Sequence, residues 1–461
     1  MNGQKISKKL LGAILATGLL SFSGVIVETA MNITFPTLMK TFHVNTATVQ
    51  WMTTIYLLVV AMVVPLSAYI KRSFKTKSAF LMANFLFMIG LVIDTVTPNF
   101  SILLLGRVIQ GIGVGIALPL MFNIILEQVP KSKIGIMMGV GTLITAVAPA
   151  IGPTFGGFVA SSLGWRYIFW LLLPILILSL GIGLATIEQK SAVSRSSLDM
   201  LSVLAIIITF VGLILGINHL AEHAFFSFSV IGWLMIGCLG LSLLVLRSRS
   251  IDNPIINLSV LTNRAFSGHA IAFFLFQLGA LAMSYLLPNY IQLVNGSTST
   301  VAGLLVLPGA VIGACFAPFS GTILDKLGAR KPILTGASLV LLAHLLFSIF
   351  GMHLSNALLA SLYIVFMLGV GMSFGNIMTS GQQSVSKVEQ ADANAIFNTL
   401  QQFAGAMGTT VASLIVAMSQ ENTSMAYTKA TAQGSQHAFI LLFVLGICQL
   451  VILAKVVKKA D

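Results

Sequence analysis

The sequence predicts an all-α integral membrane protein in which fourteen helices cross the bilayer and both termini lie on the cytoplasmic side. Of its 461 residues, 57% are hydrophobic and only 8% are charged. Apolar runs of about 20 residues, the length that a helix needs to cross the hydrocarbon layer, recur along the whole chain. Basic residues cluster between alternate runs. Together these observations indicate that most of the protein surface faces lipid.

The composition excludes two broad classes of protein. A soluble domain carries about 25% charged residues, so the 37 charged side chains of this chain cannot cover the surface of a soluble enzyme. The net charge of +13 does not indicate nucleic-acid binding, because the basic residues form short clusters between apolar runs and no single basic face. Such clusters suit anionic lipid headgroups. We therefore expect membrane lipids as partners, and no nucleic acid.

The first apolar run follows Lys5, Lys8 and Lys9 and continues from Leu10 to about Phe35 without a small-residue cleavage site. We interpret it as an uncleaved first span and not as a signal peptide. The predicted spans are 10–33, 48–70, 78–96, 102–125, 135–160, 167–187, 198–218, 228–246, 266–290, 301–323, 333–352, 357–380, 394–418 and 437–456.

The distribution of basic residues supports this count. With a cytoplasmic N-terminus, 21 of the 25 lysines and arginines fall in cytoplasmic segments. Lys40, Arg166 and Lys429 fall on the opposite side, and Arg107 lies within a span. This asymmetry follows the positive-inside rule. It predicts a multi-pass protein of the cell membrane.

An internal repeat relates the two halves of the chain. Pro36 corresponds to Pro288 at an offset of 252 residues, and the basic turn at Arg72 corresponds to that at Lys326 at an offset of 254. Parallel repeats of this kind place a substrate site between the halves near the bilayer midplane. The predicted organisation is an N-terminal six-helix bundle (1–190), an inserted helix pair (191–260) and a C-terminal six-helix bundle (261–461).

An arginine interrupts the fourth span, in the run Leu105-Gly106-Arg107-Val108-Ile109-Gln110-Gly111. An arginine within hydrocarbon costs about 3 kcal/mol on insertion scales, so it must find an anion, a carbonyl group or water. Two interpretations stay open: Arg107 lines a translocation cavity, or it is a structural ion pair or a side chain that reaches toward the interface.

The fifth span is rich in small residues and proline. It contains Gly139, then Gly152, Pro153, Gly156 and Gly157. Small residues allow close helix approach, and proline bends a helix. The span is either a sliding joint between the halves or an ordinary small-residue packing surface.

These two stretches, in this order and at this spacing, resemble the major facilitator superfamily, and in particular its fourteen-span drug/proton antiporters. Arg107-x-x-Gln110-Gly111 is similar to the family's fourth-span motif. The run from Gly152 to Gly157 is similar to its fifth-span antiporter motif, which marks exporters. The resemblance covers the whole chain and implies two six-helix bundles that expose a central site to each side of the membrane in turn.

A loop motif of the same family is present in only one half. The second half contains Gly321-x-x-x-Asp325-Lys326-x-Gly328-Ala329-Arg330, whereas the corresponding turn 67–74 has neither an acid nor a glycine. An aspartate beside a helix N-terminus and near a basic side chain can hold the cytoplasmic side closed. Such a latch would depend on Asp325; the alternative is a short solvated turn.

Acids within the membrane are the candidates for proton coupling. Glu28 is the one deep carboxyl predicted in the N-terminal half, and the C-terminal half has none. Relatives carry an aspartate in the first span, and Glu28 is displaced from that position by one residue. Asp94, near the outer end of the third span, is either functional or an interfacial acid. We predict Glu28, Arg107 and Asp94 as the proton-coupling group; the alternative is a permanent Glu28–Arg107 bridge that only holds helices together.

Uncharged polar side chains in the cavity-lining spans are the candidates for substrate contact. They could bind varied ligands within walls built from some of the 30 phenylalanines and 20 methionines. The predicted substrate-binding residues are Asn32, Gln50, Gln110, Gln277, Asn376, Asn398 and Gln401.

The sequence therefore predicts a proton-coupled antiporter that exports lipophilic, cationic or neutral drug-like compounds. The alternative is an importer or symporter of a specific small metabolite. Motifs of zinc proteases, lipases and P-loop ATPases are absent from the sequence, so we expect no enzyme activity, catalytic residue, metal or cofactor. We expect small-molecule substrates and protons as partners, and a functional monomer.

Overall fold

The computed structural model describes residues 6–130, 134–190, 193, 198–221, 226–251, 254–386, 389–421 and 425–457, with only some side chains described in the fifth and tenth predicted spans. In chain order the helices are α1 (Lys8–Asn32), α2 (Phe35–Phe42), α3 (Thr46–Val49), α4 (Trp51–Val63), α5 (Ser67–Ser73), α6 (Thr76–Val96), α7 (Phe100–Gln128), α8 (Ile134–Ser162), α9 (Arg166–Thr186), α10 (Met200–Asn218), α11 (Phe228–Ser250), α12 (Arg264–Leu293), α13 (Ser299–Leu327), α14 (Arg330–Phe350), α15 (Asn356–Gln383), α16 (Gln390–Gln420) and α17 (Tyr427–Val456).

The all-helical membrane fold is confirmed. Within the described part of the chain, thirteen stretches of helix are long and apolar enough to cross a bilayer, and they coincide with thirteen of the predicted spans. The remaining prediction, 135–160, coincides with α8, which is 29 residues long. Helices prevail because hydrocarbon offers no partner to the backbone, so each segment must bond its own N–H and C=O groups. The cytoplasmic placement of the termini stays a prediction.

Helix starts carry side chains that satisfy the first free N–H groups. Asn99 Oδ1 accepts from the amide of Ile102 at the start of α7, at 3.0 Å. Asn263 Oδ1 accepts from the amide of Ala265 at the start of α12, also at 3.0 Å. Asparagine is a preferred cap because its side-chain oxygen replaces the missing carbonyl partner. These caps fix where two of the long spans begin.

The predicted second span, 48–70, is not one continuous α-helix. α4 and α5 are joined by a 3₁₀ turn, Val64–Leu66, with Pro65 at its centre. Proline has no N–H to donate to the carbonyl four residues earlier, so the α-helical bonding pattern is interrupted there. A second difference from the prediction is the short helix α2, which begins with Phe35 and Pro36 after the first span.

The long helices form two bundles. The N-terminal bundle consists of α1, α4, α6, α7, α8 and α9, and the C-terminal bundle consists of α12 to α17. The predicted pair of six-helix bundles is thus confirmed, while the exact boundaries at 190 and 260 stay predictions.

Between described residues, the hydrogen bonds that join the two bundles all lie in one half of the molecule. We call the basic end the end at which α1 begins at Lys8 and α12 begins at Arg264, and the distal end the opposite one. α8 contacts α13 and α4 contacts α16, and their joining hydrogen bonds are in the distal half. Asn32 Nδ2 also donates to Ser284 Oγ there, at 3.2 Å. These two residues are 252 positions apart, the offset of the sequence repeat.

The inserted helices α10 and α11 pack tightly on each other. A Cβ atom at Gly212 would lie 2.5 Å from the Gly237 amide nitrogen, so glycine permits this approach. Near the basic end, Arg247 on α11 donates two hydrogen bonds of 3.0 Å to Asp199, just before α10. These bonds from Arg247, helped by one from Ser202, hold the pKa of Asp199 below its ordinary value.

One face of this pair covers a seam between the bundles. α10 contacts α4 of the N-terminal bundle and α16 of the C-terminal bundle. Gln50 Nε2 donates to Asn218 Oδ1 at 3.4 Å, and the ring of Phe210 stacks on Phe403 with centroids 4.5 Å apart. α10 therefore packs against the α4–α16 seam.

Candidate functional site

Arg107 lies inside the N-terminal bundle and is completely buried. It is seven residues from the start of α7, about 10 Å along the helix. Its Nε donates to the backbone carbonyl of Met52 at 3.1 Å, and its Nη1 donates to Gln110 Oε1 at 2.6 Å. Among the described residues, Nη2 has no hydrogen-bond partner. The arginine is thus held in place by uncharged oxygens at Nε and Nη1, and the Nη2 group is left unbonded.

The aromatic ring of Tyr56 is the next partner of Arg107. The guanidinium carbon lies 4.1 Å from the ring centroid, which is a cation–π contact. The Tyr56 hydroxyl donates to the backbone carbonyl of Gly24 on α1, at 2.8 Å. Tyr56 therefore ties α1, α4 and α7 together at the arginine.

Asp94 lies at the far side of Gln110. Its Oδ2 accepts from Gln110 Nε2 at 2.7 Å, and its Oδ1 has no hydrogen-bond partner. The side chain is 0% exposed. Asp94 is therefore enclosed by protein, as a second acid beside Glu28 in this half, and its interpretation as an interfacial acid stays a prediction. Asp94, Gln110 and Arg107 form a continuous chain of hydrogen bonds, which we call the Arg107 relay.

Glycines explain why Asp94 is buried so close to the end of α6. A Cβ atom at Gly90 would lie 2.7 Å from the Gly106 carbonyl oxygen, and one at Gly113 would lie 2.7 Å from the Ala83 carbonyl oxygen. A Cβ atom at Gly106 would collide with the Asp94 carboxylate. Small residues at a helix interface let backbones approach closely. α7 therefore covers the carboxyl group that the position near the helix end would expose.

Glu28 on α1 belongs to the same electrostatic group. Arg107 is near enough to interact with Glu28, Asp94 and Tyr56. Yet no ion pair within 4.0 Å joins Arg107 to either acid; in the described part of the chain such pairs occur only at Lys9–Glu188, Lys190–Glu188 and Arg247–Asp199. Glu28 makes no hydrogen bond to a described residue and is partly exposed. The direct Glu28–Arg107 bridge, one of the two sequence-based alternatives, is not formed in this conformation.

Three of the predicted substrate-binding residues are engaged within the protein and fully buried. Asn32 Oδ1 accepts from Thr53 Oγ1 at 2.7 Å, in addition to its contact with Ser284. Gln50 belongs to a cluster with Thr54 and Thr410 between the bundles. Gln110 is the middle of the Arg107 relay. These amides have structural partners already, so the prediction that they contact substrate is not supported by this conformation.

The other four predicted residues lie in the C-terminal bundle. Asn376 and Asn398 each donate to a carbonyl one turn earlier in their own helix, at 2.9 Å. Gln277 is 9% exposed, Gln401 is more open, and neither amide is hydrogen-bonded to a described residue. Among the seven predicted residues, Gln277 and Gln401 are thus the two whose side-chain amides make no hydrogen bond to a described residue.

The glycines of the fifth span pack against both bundles. A Cβ atom at Gly152 would collide with Thr29, and one at Gly156 would collide with the Ala30 backbone, so both press on α1. The Gly157 carbonyl accepts from Ser299 Oγ at 3.1 Å and touches the start of α13. At the distal end, α8 therefore packs closely against the backbones of α1 and α13.

Pro153 and Gly139 are the other members of that motif. The backbone of Pro153 lies 2.5 Å from where a Cβ atom of Gly303 would be, so it belongs to the same close contact of α8 with α13. Gly139 lies in α8, and its surroundings fall outside the described residues.

The loop motif of the second half divides into two parts. Gly321 and Asp325 lie in α13, and their surroundings fall outside the described residues, so the proposed Asp325 latch is untested. Gly328 ends α13 with φ 76°, a conformation that favours glycine. Arg330 Nη1 donates to the carbonyls of Ala454 and Val457, at 3.1 and 2.8 Å. Arg330 therefore caps the C-terminus of α17 in its own bundle.

The sequence analysis missed one polar group at the seam. Thr54 on α4 lies 3.3 Å from Thr409 and 3.0 Å from Thr410 on α16, measured between hydroxyl oxygens. Threonines are common in membrane helices, where they bond to their own backbone, so they gave no separate signal. The adjacent pair Thr409-Thr410 in the distal half of α16 was the available clue.

Two six-helix bundles that meet at a distal seam, with an ionisable group buried inside one of them, define a membrane carrier. The chain belongs to the major facilitator superfamily, because the family profile "Major Facilitator Superfamily" matches residues 17–409. It is accordingly a multi-pass protein of the cell membrane.

Curated relatives cover almost the full length. The chain is 34% identical over 454 residues to a protein named lincomycin resistance protein LmrB of Bacillus subtilis, which covers 96% of this chain and 95% of that protein. It is 25% identical over 405 residues to a protein named multidrug resistance protein Stp of Mycobacterium tuberculosis, which covers 88% of this chain and 75% of that one.

Solved structures share the fold at low sequence identity. A bacterial homologue of the human lysosomal transporter Spinster, in an inward-facing and unoccupied conformation, superposes with a TM-score of 0.71 at 14% identity, covering 98% of each chain. A D-xylose–proton symporter superposes with a TM-score of 0.69 at 15% identity, covering 98% of this chain and 97% of that one. At this identity the likeness shows the fold alone.

Proposed function

We propose that the protein exports lipophilic, cationic or neutral drug-like compounds in exchange for protons. The observation that carries this proposal is the buried group of Arg107, Glu28 and Asp94. It contains one permanent positive charge and two carboxyl groups, neither in direct contact with that charge. Such a group inside a membrane protein is expensive and marks an ion or proton pathway.

The relatives support the direction and the cargo. Proteins named for resistance to lincomycin and to several drugs align with 96% and 88% of this chain. Lincomycin, an amine, is therefore the first compound to test. The amides of Gln277 and Gln401, which make no hydrogen bond to a described residue, could bind polar groups of the cargo. The process needs no covalent step, so we propose a carrier and no enzyme, acting as a monomer.

The distal seam supports alternating access. The bundles are hydrogen-bonded to each other in the distal half, and no such bond between described residues occurs in the basic half. If the basic clusters lie in the cytoplasm, as the positive-inside rule predicts, this state is closed to the outside. Exchange then requires the distal seam to separate while the basic end closes.

Efflux of ethidium from cells, followed by fluorescence, tests the proposal. Cells with the wild-type protein should expel the dye, and an uncoupler that removes the proton gradient should abolish the efflux. Glu28→Gln cannot release a proton, so we expect uncoupler-sensitive efflux to fall at least tenfold. Competition by lincomycin in the same assay would show whether it is a cargo.

Glu188→Gln is the matched control, because Glu188 lies outside the membrane spans at a solvent-exposed contact with Lys9. It should keep wild-type efflux. Efflux that persists in both the uncoupled cells and the Glu28→Gln cells would refute proton exchange. Dye uptake driven by the gradient would instead favour an importer.

A further inference from the structure

The group of Arg107, Glu28 and Asp94 contains one positive charge and two carboxyl groups, so it is not neutral when both acids are ionised. Arginine stays protonated under all relevant conditions. With both Glu28 and Asp94 ionised the group has a net charge of −1, and with one of them protonated it is neutral. A net charge in a dry interior is strongly unfavourable unless paired. In the absence of a cationic cargo, one acid is therefore ionised and the other carries a proton.

We propose that Asp94 is the permanent counter-charge of Arg107, connected through Gln110, and that Glu28 alone takes up and releases the exchanged proton. This inference rests on the proposed function and assigns separate roles to its two acids. Three features of the structure distinguish Asp94 from Glu28.

The first feature is the direction of the hydrogen bonds in the Arg107 relay. Arginine can only donate, so the Gln110 oxygen must face Arg107 and the Gln110 amino group must face Asp94. Asp94 Oδ2 is therefore an acceptor, at 2.7 Å from Gln110 Nε2. Because Gln110 is polarised by the guanidinium at 2.6 Å, its amino group is a good partner for an ionised carboxylate.

The second feature is access. Asp94 is 0% exposed, and the carboxylate rests against Gly106 so closely that a Cβ atom there would overlap it. Glu28 is partly exposed and has no hydrogen bond to a described residue. Glu28 is therefore the more accessible of the two acids.

The third feature is the free donor of Arg107. Nη2 is buried without a partner, while Nε and Nη1 are used. Glu28 interacts electrostatically with Arg107 without a direct bond. When the proton of Glu28 passes to water, the new carboxylate can be compensated by Nη2 and by a cationic cargo. The cargo positive charge then replaces the proton, and the balance of the group is kept.

The assignment is tested by removing the charges singly and in pairs. The measurement is ethidium transport driven by a pH gradient across the membrane of proteoliposomes. In Asp94→Asn, Glu28 must stay ionised as the counter-charge of Arg107, so driven transport should fall at least tenfold. In Asp94→Asn with Arg107→Gln, both fixed charges are gone, and transport should return to within about threefold of the wild type. Glu28→Gln with Arg107→Gln should remain inactive.

Recovery of the Glu28→Gln, Arg107→Gln variant, or failure of both double variants to recover, would overturn the assignment. Proton release on ethidium binding to the purified protein gives a reading that does not require a transport cycle. The wild type and the Asp94→Asn, Arg107→Gln variant should each release about one proton per bound dye, and Glu28→Gln should release none. Release from Glu28→Gln would identify Asp94 as the carrier.

A glycine substitution provides a test that leaves every ionisable group in place. Gly106→Ala should displace the Asp94 carboxylate and reproduce the tenfold loss of Asp94→Asn. Gly181→Ala is its control, because a Cβ atom there meets nothing within 4 Å, and it should stay within twofold of the wild type. Equal transport by both alanine variants would contradict the role of Asp94. A wild-type protein that ignores the pH gradient would refute the proposed function itself, before any variant is compared.

Discussion

At the scale of single residues, the charge of Arg107 is buried against the Met52 carbonyl, the Gln110 amide oxygen and the Tyr56 ring. Arg107 and Glu28 stand out in apolar runs because charges there are costly. Asp94 was undervalued, since its position two residues before the end of α6 suggests an interface. Its burial depends on Gly90 and Gly106, which bring α7 over it. Helix approach of this kind depends on pairs of residues far apart in sequence, so one helix alone cannot indicate it.

The polar residues show the same limit. Gln50 and Asn32 are uncharged, lie in cavity-forming spans and were reasonable candidates for substrate contact. Buried amides, however, need hydrogen-bond partners, and here the partners are on other helices of the protein: Asn218, Thr53 and Ser284. A sequence shows which residues need partners but not which surface supplies them.

Tyr56 provides a prediction at this scale. Tyr56→Phe keeps the ring below Arg107 and loses one hydrogen bond, so the free energy of unfolding should fall by about 1 kcal/mol. Tyr56→Leu also loses the cation–π contact, which contributes about 2 kcal/mol where water is excluded, so it should fall further. Thermal unfolding of the purified variants in detergent measures both. Equal melting temperatures for Phe and Leu would show that the ring does not stabilise Arg107.

At the scale of helices, spans were the most predictable feature. Length and hydropathy set by the bilayer located most of them to within a few residues, as with α10, Met200–Asn218 against 198–218. The exception is α17, which begins at Tyr427, ten residues before the predicted start at 437. The break at Pro65 was not predicted, because proline is often tolerated in membrane helices. Arg330, a member of the second-half loop motif, caps α17 in its own bundle, a contact that the motif did not indicate. Motifs identify a segment more reliably than they identify its contacts.

The seam between α4 and α16 gives a prediction for helix movement. The hydroxyl oxygens of Thr54 and Thr410 lie 3.0 Å apart across the two bundles. In a variant without the native cysteines, Thr54→Cys with Thr410→Cys should form a disulfide on oxidation and hold the distal end closed. Ethidium efflux should then stop, and a reducing agent should restore it.

Its control is a pair within one bundle. Asn84 and Ser179 join α6 to α9 at 3.1 Å, and a disulfide between cysteines at these positions should leave efflux unchanged, because the bundle moves as a unit. Continued efflux with the Thr54–Thr410 positions fully cross-linked would show that this seam does not need to open.

At the scale of the whole molecule, the two bundles and the inserted pair give an asymmetric carrier. One distal seam, α8 with α13, is a close backbone contact formed by glycines, while the other, α4 with α16, is a cluster of hydroxyl and amide groups covered by α10. The ionisable group lies in the N-terminal bundle, and Gln277 and Gln401, whose amides make no hydrogen bond to a described residue, lie in the C-terminal bundle. A cationic cargo between the halves would thus meet Glu28 in one half and these amides in the other.

The most direct test of this account is transport by the purified protein in liposomes under an imposed pH gradient. Ethidium is suitable because its charge is permanent, so it does not accumulate by protonation. In exchange, protons run from the acidic to the alkaline side and the dye runs in the opposite direction. We predict that ethidium accumulates on the acidic side and that reversal of the gradient reverses the flux. Accumulation on the alkaline side, or a flux independent of the gradient, would contradict the account.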